Sequence, residues 1–267
     1  MIFSNLHTHT IFSDGKGSLR DNIESAINKG MTSLGFSDHS FTACDTSYCM
    51  KLSDYKNYRK AISDLKVEYA EKLPIFLGIE KDYYSEIDSS EFEYVLASVH
   101  YIVDKGVCYP LDHSPAQQEE CFAEVFNGNK LDFAKRYYEM VTEQVIKCKP
   151  DVVGHFDVIN KFSLMPEDDE KYREIAKESA REILKTCPVF ELNTGGIARG
   201  WRKTPYPSSY VLDLIRELGG EIVINSDSHS PENLDFFFTE SVKILKSHGY
   251  DHIVEFTGNG FKKVYFD

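Results

Sequence analysis

His7 and His9 stand one residue apart in Asn5-Leu6-His7-Thr8-His9-Thr10, and Asp227 and His229 repeat that spacing in Asn225-Ser226-Asp227-Ser228-His229. All four are groups of the kind that hold a divalent cation. In an extended chain every second side chain points to one face, so each pair presents two ligands together. The apolar runs before them, Met1-Ile2-Phe3 and Ile222-Val223-Ile224, read as strands. If the first and last strands of a closed sheet are neighbours, the four groups converge on one metal site.

Nearly every strand candidate between these ends closes on a further ligand-type residue. His39 follows Leu34-Gly35-Phe36-Ser37-Asp38, Glu80 follows Phe76-Leu77-Gly78-Ile79, His100 follows Leu96-Ala97-Ser98-Val99, and His155 follows Asp151-Val152-Val153-Gly154. Asp14 lies in the loop after the first strand, within reach of the same place. Barrels of alternating strands and helices assemble their chemistry at the carboxyl ends of the strands. Singly, each residue has a plainer explanation. A lone histidine is commonly a packed or surface residue, Asp14 a turn former before Ser18, and Glu80 a strand-end carboxylate facing solvent. Jointly, six histidines and three carboxylates at equivalent places in successive units are a metal constellation. An imidazole and carboxylate set without cysteine suits Zn, Mn, Fe or Co. Nine groups exceed the needs of one tetrahedral ion, so two or three ions sharing a bridging carboxylate or hydroxide are expected. His113, His248 and His252 lack this context and are assigned to packing or surface.

The elements that must position these groups alternate along the whole chain. Strands are expected at 2–6, 33–37, 75–80, 95–100, 152–155, 189–193, 221–225 and 253–256. Helices are expected at 18–29, ended by Gly30; at 53–73, with Ser53 as cap; at 131–149, stopped by Pro150; and at 169–186, 208–218 and 231–247, the last closed by Gly249. Such alternation predicts an α/β architecture with parallel strands, in one domain over residues 1–267. Three long connections, 41–50, 102–118 and 195–207, are candidates for functional loops. The stretch 108–115 also reads as a surface excursion.

Composition sets the outer limits. With 267 residues the chain is of a size for one α/β barrel, and 42% hydrophobic with 27% charged residues is ordinary for a globular protein. A formal net charge of −13 and the absence of a Lys/Arg run exclude nucleic acid as a steady partner. A small phosphate ester remains compatible, because metal ions and a few cations can reverse the field inside a pocket. None of the six cysteines forms a C-x-x-C pair, and neither a secretory leader nor an apolar run of membrane-spanning length is read. A cytoplasmic location with free, mostly buried thiols is expected, with no membrane partner.

The ordered set of His7-Thr8-His9 with Asp14, Ser37-Asp38-His39, Gly78-Ile79-Glu80, Ser98-Val99-His100, Gly154-His155 and Asp227-Ser228-His229 resembles the polymerase and histidinol phosphatase (PHP) superfamily. That resemblance implies a distorted (β/α)7 TIM-like barrel around a trinuclear metal centre. One ion would take His7, His9, Glu80 and Asp227; Glu80 would bridge to a second held by His100 and His155; a third would take Asp14, His39 and His229. Within the superfamily the chain resembles the stand-alone histidinol-phosphate phosphatases, through Glu191-Leu192-Asn193-Thr194-Gly195-Gly196, Arg199, Trp201-Arg202-Lys203 and Pro205-Tyr206-Pro207-Ser208.

The activity so implied is hydrolysis of L-histidinol phosphate to L-histidinol and phosphate, a step of histidine biosynthesis. The expected nucleophile is a hydroxide between the ions linked by Glu80, with the third ion engaging another phosphate oxygen. Either Arg199 or Arg202 is expected to meet the substrate. Arg199 is the choice for the phosphate clamp because it follows the strand end at Asn193 closely. Asp38 and Asp157 are candidates for orienting imidazoles, and the acid for the leaving alkoxide is left unassigned. Three competing readings are weaker. A PHP-type phosphoesterase acting on nucleotides or oligonucleotide ends is disfavoured by the acidic balance and by the segment 193–208. An amidohydrolase-type barrel also begins with H-x-H but needs a bridging lysine, which is not evident. An inactive metal-binding module would not need the intact ligand set.

Overall fold

Six strands pair in parallel, in the order β1-β2-β3-β6-β7-β8, in a computed structural model that describes residues 3–266. They are β1 (Leu34–Phe36), β2 (Ile75–Asp82), β3 (Tyr94–Ser98), β6 (Val152–Val153), β7 (Val189–Asn193) and β8 (Glu221–Asn225). A hairpin of β4 (Tyr101–Asp104) and β5 (Val107–Pro110) follows β3, and a second one, β9 (His252–Phe256) with β10 (Phe261–Tyr265), ends the chain. The helices are α1 (Leu19–Asn28), α2 (Tyr55–Glu68), α3 (Pro115–Phe126), α4 (Lys130–Cys148), α5 (Glu170–Ile183), the single turn α6 (Gly195–Ala198), α7 (Ser209–Glu217) and α8 (Phe238–Ser247).

The two edges of the sheet meet at the amino-terminal segment. Met1 and Ile2 of the expected first strand lie outside the described residues. Asn5 bridges Leu34 of β1, and Thr8 bridges Ser228 just beyond β8. No continuous strand forms here, because side chains replace the ladder on the β8 side. Leu6 N–H donates to Asn225 Oδ1 at 2.9 Å, and Asn5 Oδ1 accepts from the backbone of both His7 and Ser226. Among the described residues the hydrogen-bonded parallel strands therefore number six.

Strand periodicity sorts the side chains into two cores. Ile79, Val95, Ala97, Phe190, Leu192, Ile222 and Ile224 face outward into the main cluster, shared with helix residues such as Phe133, Tyr137 and Ile183. Phe76, Tyr94, Leu96, Val152, Val189 and Val223 face inward with Leu6, and Val254 and Phe256 of the terminal hairpin pack against them. Further along the same inward faces the apolar residues give way to Glu80, Asp82, Glu191, Asn193 and Asn225, all buried. The sheet thus encloses an apolar floor below a polar cavity. Tyr94 spans that floor, its hydroxyl donating to the Leu6 carbonyl at 2.6 Å. Gly78 is what admits its ring, since a Cβ there would lie 2.1 Å from Tyr94 Cζ.

Several expectations are corrected. The stretch 102–118 is not one loop but the β4–β5 hairpin and the start of α3, which Ser114 caps by accepting from Gln117 N–H, with Pro115 in the first turn. The helix expected at 231–247 is a short 3₁₀ turn (Pro231–Asn233) followed by α8, parted where Phe237 takes φ +64°. The strand near 253–256 belongs to the antiparallel hairpin rather than the parallel sheet. Cys44 and Cys108 are joined in a disulfide, Cα to Cα 5.5 Å, contrary to the expectation that all thiols are free. Cys49, Cys121 and Cys187 are buried free thiols, as expected, and Cys148 is half-buried.

Tyr94→Phe removes the only hydroxyl reaching the Leu6 carbonyl from β3. It should cost about 1–3 kcal/mol in urea unfolding, the penalty for stranding a buried acceptor.

Candidate metal centre

The Thr8–Ser228 bridge sets the register of the site. His9 N–H donates to the Ser228 carbonyl at 2.8 Å and Ser228 N–H to the His7 carbonyl at 3.0 Å. Thr8 and Ser228 therefore point one way while His7, His9, Asp227 and His229 point the other, into the cavity. His9 Nε2 lies 3.2 Å and His7 Nε2 3.7 Å from Asp227 Oδ1, and the rings of His9 and His229 are 4.2 Å apart. Asp227 reaches this position by adopting φ +50°, a left-handed conformation unusual for a residue other than glycine. An isolated bridge pairs His39 with Glu80, bringing His39 Nδ1 to 2.6 Å from Glu80 Oε2.

Glu80 occupies the centre. Five imidazoles surround its carboxylate: His39 at 2.6 Å, His155 at 2.9 Å, His7 and His100 at 3.4 Å, and His9 at 3.7 Å. Burial would push this carboxyl up, yet His39, His7 and His100 hold it well below the usual range. Burial pushes His9 well down, and crowding by His39 and His229 adds to that.

The nine residues fall into overlapping groups. Glu80, His100 and His155 approach one another within 3.4 Å. His7, His9 and Asp227 form a second set, and His9, Asp14, His39 and His229 a third, each with its ligand atoms within 4.8 Å of one another. His9 thus belongs to the third group as well as the second. The donor atoms fit divalent cations on a further ground: His7 Nε2, both ring nitrogens of His9 and Glu80 Oε2 are buried without a properly directed hydrogen bond. Buried polar atoms are rarely left so, and here the unsatisfied atoms face each other.

The groups that orient the imidazoles differ from those expected. Asp38 contacts no imidazole; it accepts from Thr10 N–H and from the hydroxyls of Thr10 and Ser13, tying down the loop that carries Asp14. Asp157 instead accepts from the Ser208 backbone and hydroxyl. The orienting role falls to two buried carboxylates in the sheet. Glu191 accepts from His7 Nδ1 at 2.9 Å, from His155 N–H, and from the amides of Asn193 and Asn225. Asp82 lies 3.1 Å from His100 Nδ1. Their sequence signal is an acid at an inward position of an otherwise apolar strand, as in Val189-Phe190-Glu191-Leu192-Asn193.

A cavity of about 150 Å³ opens above the cluster, with Arg199 in its wall. The Arg199 guanidinium places one nitrogen 3.2 Å from each oxygen of Asp227. Gly195 leaves room for this pair, since a Cβ there would lie 2.7 Å from Asp227 Oδ2. Arg202, expected as a second substrate contact, is instead buried against Glu167 at 2.7 Å and the Asn160 carbonyl at 2.8 Å, away from the cavity lining. The lining residues that escaped the sequence reading include Tyr48, Asp112, His113 and Lys161. Lys161 donates to the Asp112 carbonyl at 2.6 Å and faces its carboxylate at 3.1 Å. His113 is exposed, as a surface residue would be, and it also stands in the cavity wall. His248 pairs with Asp213, and His252 with Glu221 and Asp251, away from the site as expected.

Glu191→Gln keeps the shape but removes the charge that fixes the His7 tautomer. Metal affinity, measured by competition with a chelating dye, should fall by about 10- to 100-fold. Unchanged affinity would deny Glu191 that role.

The PHP domain family model matches residues 5–195. Among curated proteins the chain is 26% identical over 258 residues to a probable histidinol-phosphatase of Schizosaccharomyces pombe, covering 87% of this chain and 82% of that one. It is 26% identical over 257 residues to a probable histidinol-phosphatase of Deinococcus radiodurans, covering 91% and 92%. Among solved structures, histidinol phosphate phosphatase of Lactococcus lactis subsp. lactis, complexed with Zn, L-histidinol and phosphate, is 23% identical. It superposes with a TM-score of 0.73 over 97% of this chain and 98% of that one. No helix among the described residues is long and apolar enough to cross a membrane. The matched span covers most of the chain and holds seven of the nine candidate ligands, His7 to His155, together with Glu191, and on that ground the chain belongs to the PHP domain family.

Proposed function

We propose that this chain is a metal-dependent phosphate monoester hydrolase whose substrate is L-histidinol phosphate, in histidine biosynthesis. The observation that carries the reading is Glu80, a buried carboxylate with five imidazoles within 3.7 Å, at the base of a cavity that also holds an arginine. The names of the relatives support the choice of ester. Counting the segment that bridges the two sheet edges as a seventh stave, we read the fold as a distorted (β/α)7 barrel.

In this reading His7, His9, Glu80 and Asp227 hold one ion, Glu80, His100 and His155 a second, and Asp14, His39 and His229 a third, with His9 beside the third group. Divalent cations held there polarise phosphoryl oxygens and make water a competent nucleophile at neutral pH. The protein's own part is to keep these groups fixed and to supply positive charge. Arg199 presents a planar fork at the cavity wall, suited to two phosphoryl oxygens as it is suited to Asp227. Lys161 adds a second cation to the lining, held in place by Asp112. Arg202 is left out of substrate contact; its pairing with Glu167 secures the loop after β7. That loop folds back through reciprocal hydrogen bonds between Asn193 and Tyr206, at 2.8 and 3.0 Å, which set Tyr206 in the cavity wall.

The test is a screen of phosphate monoesters on protein of known metal content. L-Histidinol phosphate should be preferred over nucleoside monophosphates by orders of magnitude, and chelation should abolish turnover. A flat profile would remove the substrate assignment, and phosphate release indifferent to chelators would remove the mechanism. Arg199→Ala, with metal content maintained, should lower kcat on the order of 100-fold, the usual loss for a donor to developing phosphoryl charge. Unchanged turnover would take Arg199 out of the reaction.

A further inference from the structure

The loop of residues 41–50 carries Tyr48 to the metal cluster, with its ring edge-on to His39 at 4.8 Å. The loop is fastened at its ends, where Phe41 N–H donates to the Tyr55 hydroxyl at 2.6 Å and Met50 N–H to the His39 carbonyl at 3.0 Å. Between them it turns on itself: Cys44 N–H donates to Thr42 Oγ1, Ser47 N–H to Asp45 Oδ1 and the Cys49 thiol to the Asp45 carbonyl. Its covalent tie to the rest of the molecule is the bond from Cys44 to Cys108 of β5, beside the contact of the Tyr48 and Tyr101 rings at 6.1 Å. The hairpin at the far side of that bond is fixed, since β4 and β5 pair along their length and Leu111 N–H donates to the His100 carbonyl at 2.9 Å. The disulfide therefore decides whether the loop is held to a rigid neighbour at a point four residues before Tyr48.

That bond is within reach of a reagent. Both cysteines are half-buried, and they form part of the wall of a second cavity, of about 480 Å³, lined too by Phe41, Thr42, Tyr84 and Glu86. It shares no lining residue with the cavity above the metal cluster. Gly106, in the β4–β5 turn, also lines it, and a Cβ added there would meet nothing within 4 Å. By contrast Cys49, Cys121 and Cys187 are buried. Burial pushes the Cys49 thiol up, so it stays protonated and does not attack the neighbouring bond itself. A chain that keeps four free thiols and one reachable disulfide fits a bond that is opened and re-formed, since exposed disulfides are the labile ones.

We infer that Cys44–Cys108 is a thiol-exchange site for a dithiol reductant, and that opening it releases the loop that holds Tyr48 against His39 and so lowers ester turnover. A thiolate of the reductant attacks one sulfur, giving a mixed disulfide and the other cysteine as a thiolate, which takes up a proton. The second thiol of the reductant then displaces the remaining cysteine, and the reductant leaves as its own disulfide. Two electrons and two protons pass to the protein, and the same steps in reverse close the bond. The switch goes beyond the proposed function: it rests on ester hydrolysis at the metal cluster but not on which alcohol leaves.

The test uses the metal-loaded full chain, kept under air or treated with dithiothreitol, and a Cys44→Ser/Cys108→Ser double variant handled in the same two ways. Alkylation after unfolding should count four reactive thiols in the oxidised chain and six in the reduced one. Reduction should lower kcat/KM for L-histidinol phosphate and for p-nitrophenyl phosphate, a generic monoester, on the order of tenfold, and reoxidation should restore it. Proteolytic cleavage within residues 41–50 should become faster on reduction. The double variant should stand at the reduced level throughout and respond to neither treatment, which separates loop release from capture of metal by the reagent. Six reactive thiols before reduction, turnover of both esters unchanged by reduction, or a response that persists in the double variant each overturns the switch. A response seen with p-nitrophenyl phosphate while L-histidinol phosphate is not hydrolysed supports the switch and refutes only the choice of substrate. If neither ester is hydrolysed, the functional reading fails and the switch with it.

Discussion

A single buried carboxylate organises this protein. Glu80 stands in the middle of β2, an inward position, where a charge is costly unless several partners compensate it. The compensation comes from residues remote in sequence: His7 and His9 from the start of the chain, His39 after β1, His100 after β3 and His155 after β6. Each reaches Glu80 only if its own strand is correctly registered in the sheet. The site is therefore a readout of the whole barrel-like arrangement. A slip of one residue in any strand would turn its ligand away from the cavity.

The rest of the structure exists to make that convergence rigid. The floor is filled by Tyr94, Phe76, Val189 and Val223 and backed by Phe256 of the terminal hairpin. Above it the amino-terminal segment is held to β8 by Asn5, Asn225 and Ser226 rather than by a regular ladder. This polar clasp allows Glu191 to reach His7, His155 and both flanking asparagines at once. One carboxylate thus aligns two candidate ligands far apart in the sequence, His7 and His155. The clasp costs the segment its strand geometry, which is why six parallel strands appear where an extended run of apolar residues suggested another.

Much of this was legible from residue types and spacing. The H-x-H and D-x-H pairs follow a period of two, and strand-end ligands recur at each β-to-α junction, so all nine candidate ligand residues could be named and do converge. Helix starts were read less well: Ser53, expected as a cap, gives way to Asp54, which makes no side-chain cap hydrogen bond, while the box that Ser18 forms with Asp21 was not foreseen. What could not be read was set by contacts between loops. Asp38 and Asp157 sit beside ligand motifs, yet hydroxyls and backbone amides claim them. Arg202 is near Arg199 in sequence, but the turn of α6 sends its side chain to Glu167 instead. Tyr48, Asp112 and His113 carry no periodic signal at all; their place in the wall depends on a hairpin and a disulfide joining two connections that could be read only as candidate functional loops.

The unsatisfied atoms of the cluster have a consequence for folding as well as for chemistry. Without cations the site keeps its charges together through Arg199 on Asp227 and imidazoles on Glu80, while His9 is left with neither ring nitrogen hydrogen-bonded. The rings of His39 and His229 each lie 4.2 Å from that of His9, and burial together with their crowding pushes His9 well down. Cations bound by the folded chain and not by the unfolded one relieve this and add their binding free energy to stability. Single unpartnered polar atoms also occur in the helical layer, at Asn22, Gln118 and Ser241, but around Glu80 several such atoms cluster. The fold therefore bears the cost of an incomplete polar centre with a core that does not depend on it, and metal binding acts on a scaffold already in register.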